Sequence, residues 1–311
     1  MGEKQVYRSN GKLLITGEYL VLRGADALAV PLVMGQTLEI NSTDITSSPV
    51  LCWKAYAPGR LWFEVDFDLP YLNVLHTSDQ QKAAKLQIIL LTLQQMKPEL
   101  FEGKTSLQVS TRLDFEPEWG FGSSSTLIAN IAQWAGVNPF SLLNLSIGGS
   151  GYDIACANAV TPVFYKLHNL RPDVRKANFN PPFADKLHFV YRGRKQQSAN
   201  SVTDFNAIHG NTDLKHVVEE VSNITAKAAS TTSFERFCAL MNQHEEIVSA
   251  LLLEPAVKTM YAGFDGQLKS LGAWGGDFML AMSPAEPAYV REYFEQQGLN
   301  ILFSYTQLVR Q

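Results

Sequence analysis

The sequence predicts an α+β fold in two domains, and three observations carry that prediction. The opening of the chain is a run of short β segments separated by turns. Its later part alternates long helical stretches with short apolar strands. At 311 residues the chain exceeds what one core usually serves, since cores stop growing at roughly 250–300 residues. We set the boundary so that residues 1–180 form an N-terminal domain and residues 181–311 a C-terminal one.

Gln5 to Ser9 reads as a strand, and Leu13, Leu14 and Ile15 as a buried strand between Gly11 and Gly17. Ala27–Leu32, Thr37–Ile40, Val50–Tyr56 and Leu61–Val65 follow as further strands, with a turn at Pro58-Gly59. Ser78-Asp-Gln-Gln81 resembles a capping box opening a helix with Leu86, Ile89, Leu90, Leu93 and Met96 on one face, stopped by Pro98. A strand over Leu107–Thr111 leads into a Gly/Ser turn at Gly120–Ser125. Leu127, Ile128, Ile131, Ala132 and Ala135 then recur at helical spacing. A short helix over Pro139–Ser146 precedes a second glycine-rich turn, Gly148 to Asp153.

In the second half, Leu187–Tyr191 is a strand and Asp213–Ala228 a helix. Phe234–Leu253 is another helix, opened by a Thr232…Glu235 capping box, and Val257–Phe264 a third. Lys269–Gly272 and Asp277–Met282 read as strands around a glycine loop. Ser283–Glu286 caps a helix reaching Gln297, and Leu299–Ser304 closes a sheet.

The composition, 46% hydrophobic and 18% charged, is that of a globular protein. A formal net charge of −4 argues against nucleic acid as a partner, because a phosphate backbone demands a basic face. Three cysteines without a Cys-x-x-Cys fit a reducing cytoplasm and neither a disulfide framework nor a zinc site. No signal-peptide pattern and no apolar run of membrane-spanning length is visible, so we expect no membrane partner. The six histidines lack metal-binding spacing.

Three stretches could carry chemistry. The Gly/Ser turn, with Gly120, Gly122, Ser123, Ser124 and Ser125, offers backbone N–H groups at a helix start, a natural anion site or else simply a serine-capped helix. Lys12 and Glu18 bracket a core strand, as a surface pair or a site pair. Asp153 is the one carboxylate among small and apolar residues, a site candidate or a helix cap. Gly103-Lys104-Thr105 imitates the end of a P-loop, but Pro98 stands where its first glycine belongs. No Rossmann fingerprint is present. The basic cluster Arg192, Arg194 and Lys195, with Ser198 or Ser201, is a solvated strand end or a contact for an anionic substrate.

Four segments in order resemble the signatures of the GHMP kinase superfamily. Gly11-Lys12…Gly17-Glu18-Tyr19 is similar to its first motif and Gly120-Phe-Gly-Ser-Ser-Ser125 to its phosphate loop. Lys269-Ser-Leu-Gly-Ala-Trp-Gly-Gly-Asp277 is similar to its third motif, and Gly149-Ser-Gly-Tyr-Asp153 completes the set. Gly-Glu-Tyr and Ser-Gly-Tyr-Asp look most like the mevalonate and phosphomevalonate kinase branch, and Gly151-Tyr-Asp-Ile-Ala155 is similar to a bacterial GYDIA subgroup.

The resemblance implies an N-terminal domain like ribosomal protein S5 domain 2 and a ferredoxin-like C-terminal α/β sandwich. It implies an ATP- and Mg²⁺-dependent kinase of a small, anionic, hydroxylated metabolite, monomeric or homodimeric, with a place in isoprenoid precursor synthesis. A catalytically degenerate binding regulator and a diphosphomevalonate decarboxylase are the alternatives on the same scaffold. By resemblance, Asp153 is the base that accepts the acceptor's proton and Lys12 its charged neighbour, while Ser124 and Asp153 hold the metal. Gly272, Gly275 and Gly276 shape a second loop at the phosphates, and Glu18, Tyr19, Tyr152, Arg194 and Ser198 face the substrate. Three departures stand out. Ser9-Asn10 replaces Ala-Pro, and Trp274 replaces a glycine, where it narrows the pocket, covers the phosphates or points into the core. No acidic residue lies between Glu118 and Asp153, where mevalonate kinases carry a second metal ligand.

Overall fold

The computed structural model describes residues 4–102, 105–169, 171–193, 198–210, 212–272, 274 and 278–310. The chain does not divide at residue 180. It forms two compact units that alternate along the sequence: unit 1 is Met1–Gly11, Met34–Pro117 and Phe121–Asn158, and unit 2 is Lys12–Val33, Glu118–Gly120 and Ala159–Gln311. The long strands β1 (Gln5–Thr16) and β2 (Ala27–Ile45) contribute residues to both.

Unit 1 is a sheet covered by helices. Its strands β3 (Val50–Ala57), β4 (Arg60–Asp68), β5 (Val74–Thr77) and β6 (Thr105–Leu113) lie in the order β5-β4-β3-β6-β2. Alternation decides the faces: Leu51, Trp53 and Ala55 on β3 and Phe63, Val65 and Phe67 on β4 point inward, with polar residues between. The β3–β6 pair is parallel, which needs a crossover, and helix α1 (Gln80–Met96) supplies it. Leu86, Ile89, Leu90 and Leu93 of α1 pack on that sheet together with Ile128 and Ile131 of helix α2 (Ser123–Ala135). Helices α3 (Pro139–Leu145) and α4 (Tyr152–Ala157) complete the unit.

In unit 2, a hairpin of β7 (Val163–His168) and β8 (Arg171–Lys176) extends Ala27–Ala29 of β2. A second sheet is antiparallel throughout, in the order β10-β11-β9-β12, from β9 (Leu187–Tyr191), β10 (Gln267–Ser270), β11 (Phe278–Met282) and β12 (Leu302–Ser304). Helices α5 (Ser198–His209), α6 (Lys215–Ser230) and α7 (Phe234–Leu252) connect β9 to β10, and α8 (Pro287–Gln296) connects β11 to β12. A β-α-β-β-α-β sequence in that strand order is the ferredoxin-like arrangement. Strand β11 is buried along its whole length, as a central strand covered on both faces must be. Val290 and Phe294 of α8 close one face over Val190, Met279 and Ala281. The chain ends with the short helix α9 (Tyr305–Leu308). Among the described residues no helix is long and apolar enough to cross a membrane.

Candidate functional site

Two glycine turns each open a helix in unit 1. Gly122 caps α2 at φ 90° and ψ 44°, and Gly151 caps α4 at φ 86° and ψ −7°. A Cβ is costly in this left-handed region, so glycine is what lets the chain turn abruptly into each helix. The first helical residues are Ser123, Ser124 and Ser125 in one case and Tyr152 and Asp153 in the other. Ser124 is exposed, Ser123, Tyr152 and Asp153 are half-buried, and Ser125 is buried. Helices α2 and α4 pack on each other, and the hydroxyl-bearing and carboxylate-bearing turns that open them belong to the same unit.

Helix α2 is seated by buried polar bonds rather than by apolar contact alone. Phe121, between the two loop glycines, is fully buried edge-on to Phe115 at 5.5 Å. The Thr126 hydroxyl lies 2.9 Å from Gln36 Oε1, and Asn130 Nδ2 donates to the Gln36 carbonyl at 2.9 Å. Ser9 donates to Asn130 Oδ1 at 2.8 Å, and Gln133 Nε2 donates to the Ser9 hydroxyl at 3.2 Å.

In unit 2, Lys12 is buried and its ammonium donates to the carbonyl of Gly120, the first residue of the Gly/Ser turn, at 3.0 Å. The neighbouring Trp119 ring lies 5.4 Å from Phe303, 6.3 Å from Phe278 and 6.4 Å from Tyr191. The Tyr191 hydroxyl donates to the Glu118 carbonyl at 3.3 Å, so residues 118–120 are pinned at three points.

The same unit encloses a charged cluster. Glu18 Oε1 is 2.6 Å from Lys269 Nζ, and both side chains are almost wholly inaccessible. Lys269 also donates to the Ser270 carbonyl at 2.8 Å. Glu18 Oε2 is 3.4 Å from His244 Nε2, the nitrogen that accepts the Gly17 N–H at 2.9 Å. Glu245 accepts from Val257 N, Ser270 N and the Ser270 hydroxyl. Burial pushes the Glu18 carboxyl up to about 7, against the pull of Lys269, and burial followed by the Lys269 charge holds His244 well below its ordinary range.

No protein-family model and no curated protein matches the chain. Solved structures do match over its full length. The chain is similar to the mevalonate kinase of L. major in complex with R-mevalonate, with TM-score 0.71 and 15% identity over 100% of this chain and 96% of that one. It is similar to the Streptococcus pneumoniae phosphomevalonate kinase in complex with phosphomevalonate and AMPPNP, with TM-score 0.70 and 15% identity over 96% and 99%. The Lactococcus lactis galactokinase complexed with galactose matches at TM-score 0.64 and 13% identity over 97% and 93%. The chain has the GHMP kinase fold.

Set on the GHMP kinase fold, several site expectations change. Glu18 and Tyr19, expected at the substrate, are turned inward: Glu18 is held by Lys269, and the Tyr19 hydroxyl accepts the Trp274 N–H at 3.0 Å. Trp274 is buried in a core with Tyr19, Leu20, Phe205, Leu214, Val221 and Val248, so of its three dispositions the core is the one adopted. Gly272 has φ 70° and is half-buried. Gly275, Gly276 and Arg194 lie outside the described residues, and so does the side chain of Ser198, which opens α5. Ser9, a departure from the Ala-Pro pattern, is the partner of Asn130. The seat of α2 and the His244–Glu245 pair were not anticipated. Their signal was polar residues set into apolar helical stripes, Asn130 beside Ile131 and His244-Glu245 between Met241 and Val248.

Proposed function

We propose that the protein transfers the γ-phosphoryl group of ATP to a hydroxyl or phosphate of a small, anionic metabolite. The observation that supports this reading is the packing of α2, which opens on the Gly122–Ser125 turn, against α4, which carries Asp153 in its first turn, within unit 1 of a GHMP kinase fold. A helix start presents N–H groups and the positive end of its dipole, which favours phosphate. Ser123 and Ser124 add hydroxyls there. Asp153 would take the proton of the acceptor hydroxyl as it attacks phosphorus, a role worth roughly 10²–10⁴-fold. To Lys12 we assign the stabilisation of charge on the transferred group, on the resemblance of its motif.

Among the described residues no group of three or more His, Cys, Asp or Glu side chains could hold a metal. Mg²⁺ suits a sparser set, one exposed Ser124 hydroxyl and the Asp153 carboxylate completed by phosphate oxygens and water. When bound, the ion would offset phosphate charge. The L. major enzyme binds R-mevalonate and the S. pneumoniae enzyme phosphomevalonate, both anions, which supports an anionic acceptor for this chain too. The lack of any acidic residue between Glu118 and Asp153 favours a second reading, a nucleotide-binding relative without transfer.

Calorimetric titration with Mg²⁺-ATP tests the nucleotide site common to both readings. The wild-type chain should bind, and Ser124→Ala should weaken binding by about tenfold, as loss of a bond to a charged group does. No binding by the wild-type chain would contradict both readings.

A further inference from the structure

Tyr19 holds a backbone conformation that an L-residue adopts only under constraint. Its φ is 62° and its ψ −47°, and the Leu20 N–H donates to the Glu18 carbonyl at 2.7 Å, closing a three-residue γ-turn of the rare, strained sense. Such strain persists only where the surroundings over-determine it. The surroundings here all lie in unit 2. Gly17 N–H is bonded to His244 of α7, the Glu18 carboxylate to Lys269 of β10, and the Tyr19 hydroxyl to the N–H of Trp274. The Tyr19 ring rests 5.4 Å from Phe205, which fixes the direction of the phenol. Two neighbouring residues of the first motif therefore grip the third, at its first residue, Lys269, and five positions on, at Trp274, with Gly272 between them. Relaxing Tyr19 to an ordinary negative φ would redirect its side chain and release the second grip.

We propose that Tyr19 is a positioning residue whose strained turn, together with the Glu18–Lys269 pair, latches Lys269 and Trp274 of the third motif in place. What the motif then touches rests on the kinase reading; the latch itself does not. Hydrogen–deuterium exchange of the wild-type chain and Tyr19→Phe separates the two. Removing the hydroxyl leaves the Trp274 N–H without its acceptor, so the peptide from Leu268 to Phe278 should exchange about tenfold faster. Peptides from α2 and α8 should be unchanged. Phe205→Leu thins the packing under the ring but keeps the hydroxyl, and it should lower the unfolding temperature without accelerating that peptide. Unchanged exchange in Tyr19→Phe, acceleration spread over every peptide, or equal acceleration in Phe205→Leu would each overturn the latch. A wild-type chain that fails to bind Mg²⁺-ATP would count against the kinase reading and leave the exchange comparison to decide the latch.

Discussion

Gly17 donates to His244 Nε2, which makes that nitrogen an acceptor and leaves the imidazole neutral. Folding therefore favours neutral His244, while the unfolded histidine takes up a proton near 6.5. Its stabilising contribution is complete above that pH and is lost as pH falls. Glu18 has the opposite sign. Its folded pKa is raised from 4.5 to about 7, so its contribution is complete below 4.5 and is lost as pH rises through about 7. Between 4.5 and 6.5 the two slopes oppose. His244→Gln keeps an acceptor for Gly17 but cannot be protonated, so only the Glu18 slope remains. Its unfolding temperature should fall less than that of the wild-type chain between pH 7 and pH 5, or rise; parallel curves in a thermal scan would contradict the assignment. At this scale the sequence is legible where residue type and neighbours suffice: Ser124 and Asp153 follow glycine turns, and both stand at helix starts. The burial of Glu18 against Lys269 is not legible, because that partner lies 251 positions away and no local pattern reports such a pairing.

Elements with strong periodicity were legible. Strand β9 spans the predicted residues, and α1, α2 and α7 lie where their apolar stripes put them. The caps shift by one position, to Asp79, which accepts from Lys82 N, and Ser233, which accepts from Arg236 N. β2 runs unbroken through Gly35, joining the two strands expected at Ala27–Leu32 and Thr37–Ile40 into one. A Cβ there would come within 2.2 Å of the Ser9 carbonyl, so the glycine admits a close backbone and does not end the strand. Strand β8 gave no signal, being polar and mostly exposed, and α5 carries too few apolar residues to show a period. Residues 257–264 hold only a 3-10 turn, Val257–Tyr261, in place of a helix. Helix α2 offers a direct test of its seat. Ser9→Ala restores the residue usual in the motif but leaves the fully buried Asn130 Oδ1 without that bond. It should destabilise the protein by about 1–3 kcal/mol, read from the urea midpoint. A neutral or stabilising result would show that the bond does not hold the helix.

For the whole molecule, two units that exchange the chain several times replace the single boundary expected at residue 180. Periodicity reports elements, and it does not report which partner each half of a long strand will pair with, as in β2, where Gln36–Ser42 pair with β6 and Ala27–Ala29 with β7. The fold class itself was legible, because four motifs in a fixed order constrain a whole chain more than any one of them constrains a loop. At 13–15% identity to solved relatives, the chemistry has to be argued from the residues. The decisive measurement is product formation from Mg²⁺-ATP and a panel of acceptors, mevalonate, phosphomevalonate, homoserine and galactose, with the wild-type chain and Asp153→Asn compared by mass spectrometry. One phosphorylated acceptor together with ADP is expected, with a fall of roughly 10²–10⁴-fold in kcat for Asp153→Asn. Phosphorylation that continues at the wild-type rate in Asp153→Asn would contradict the role proposed for Asp153.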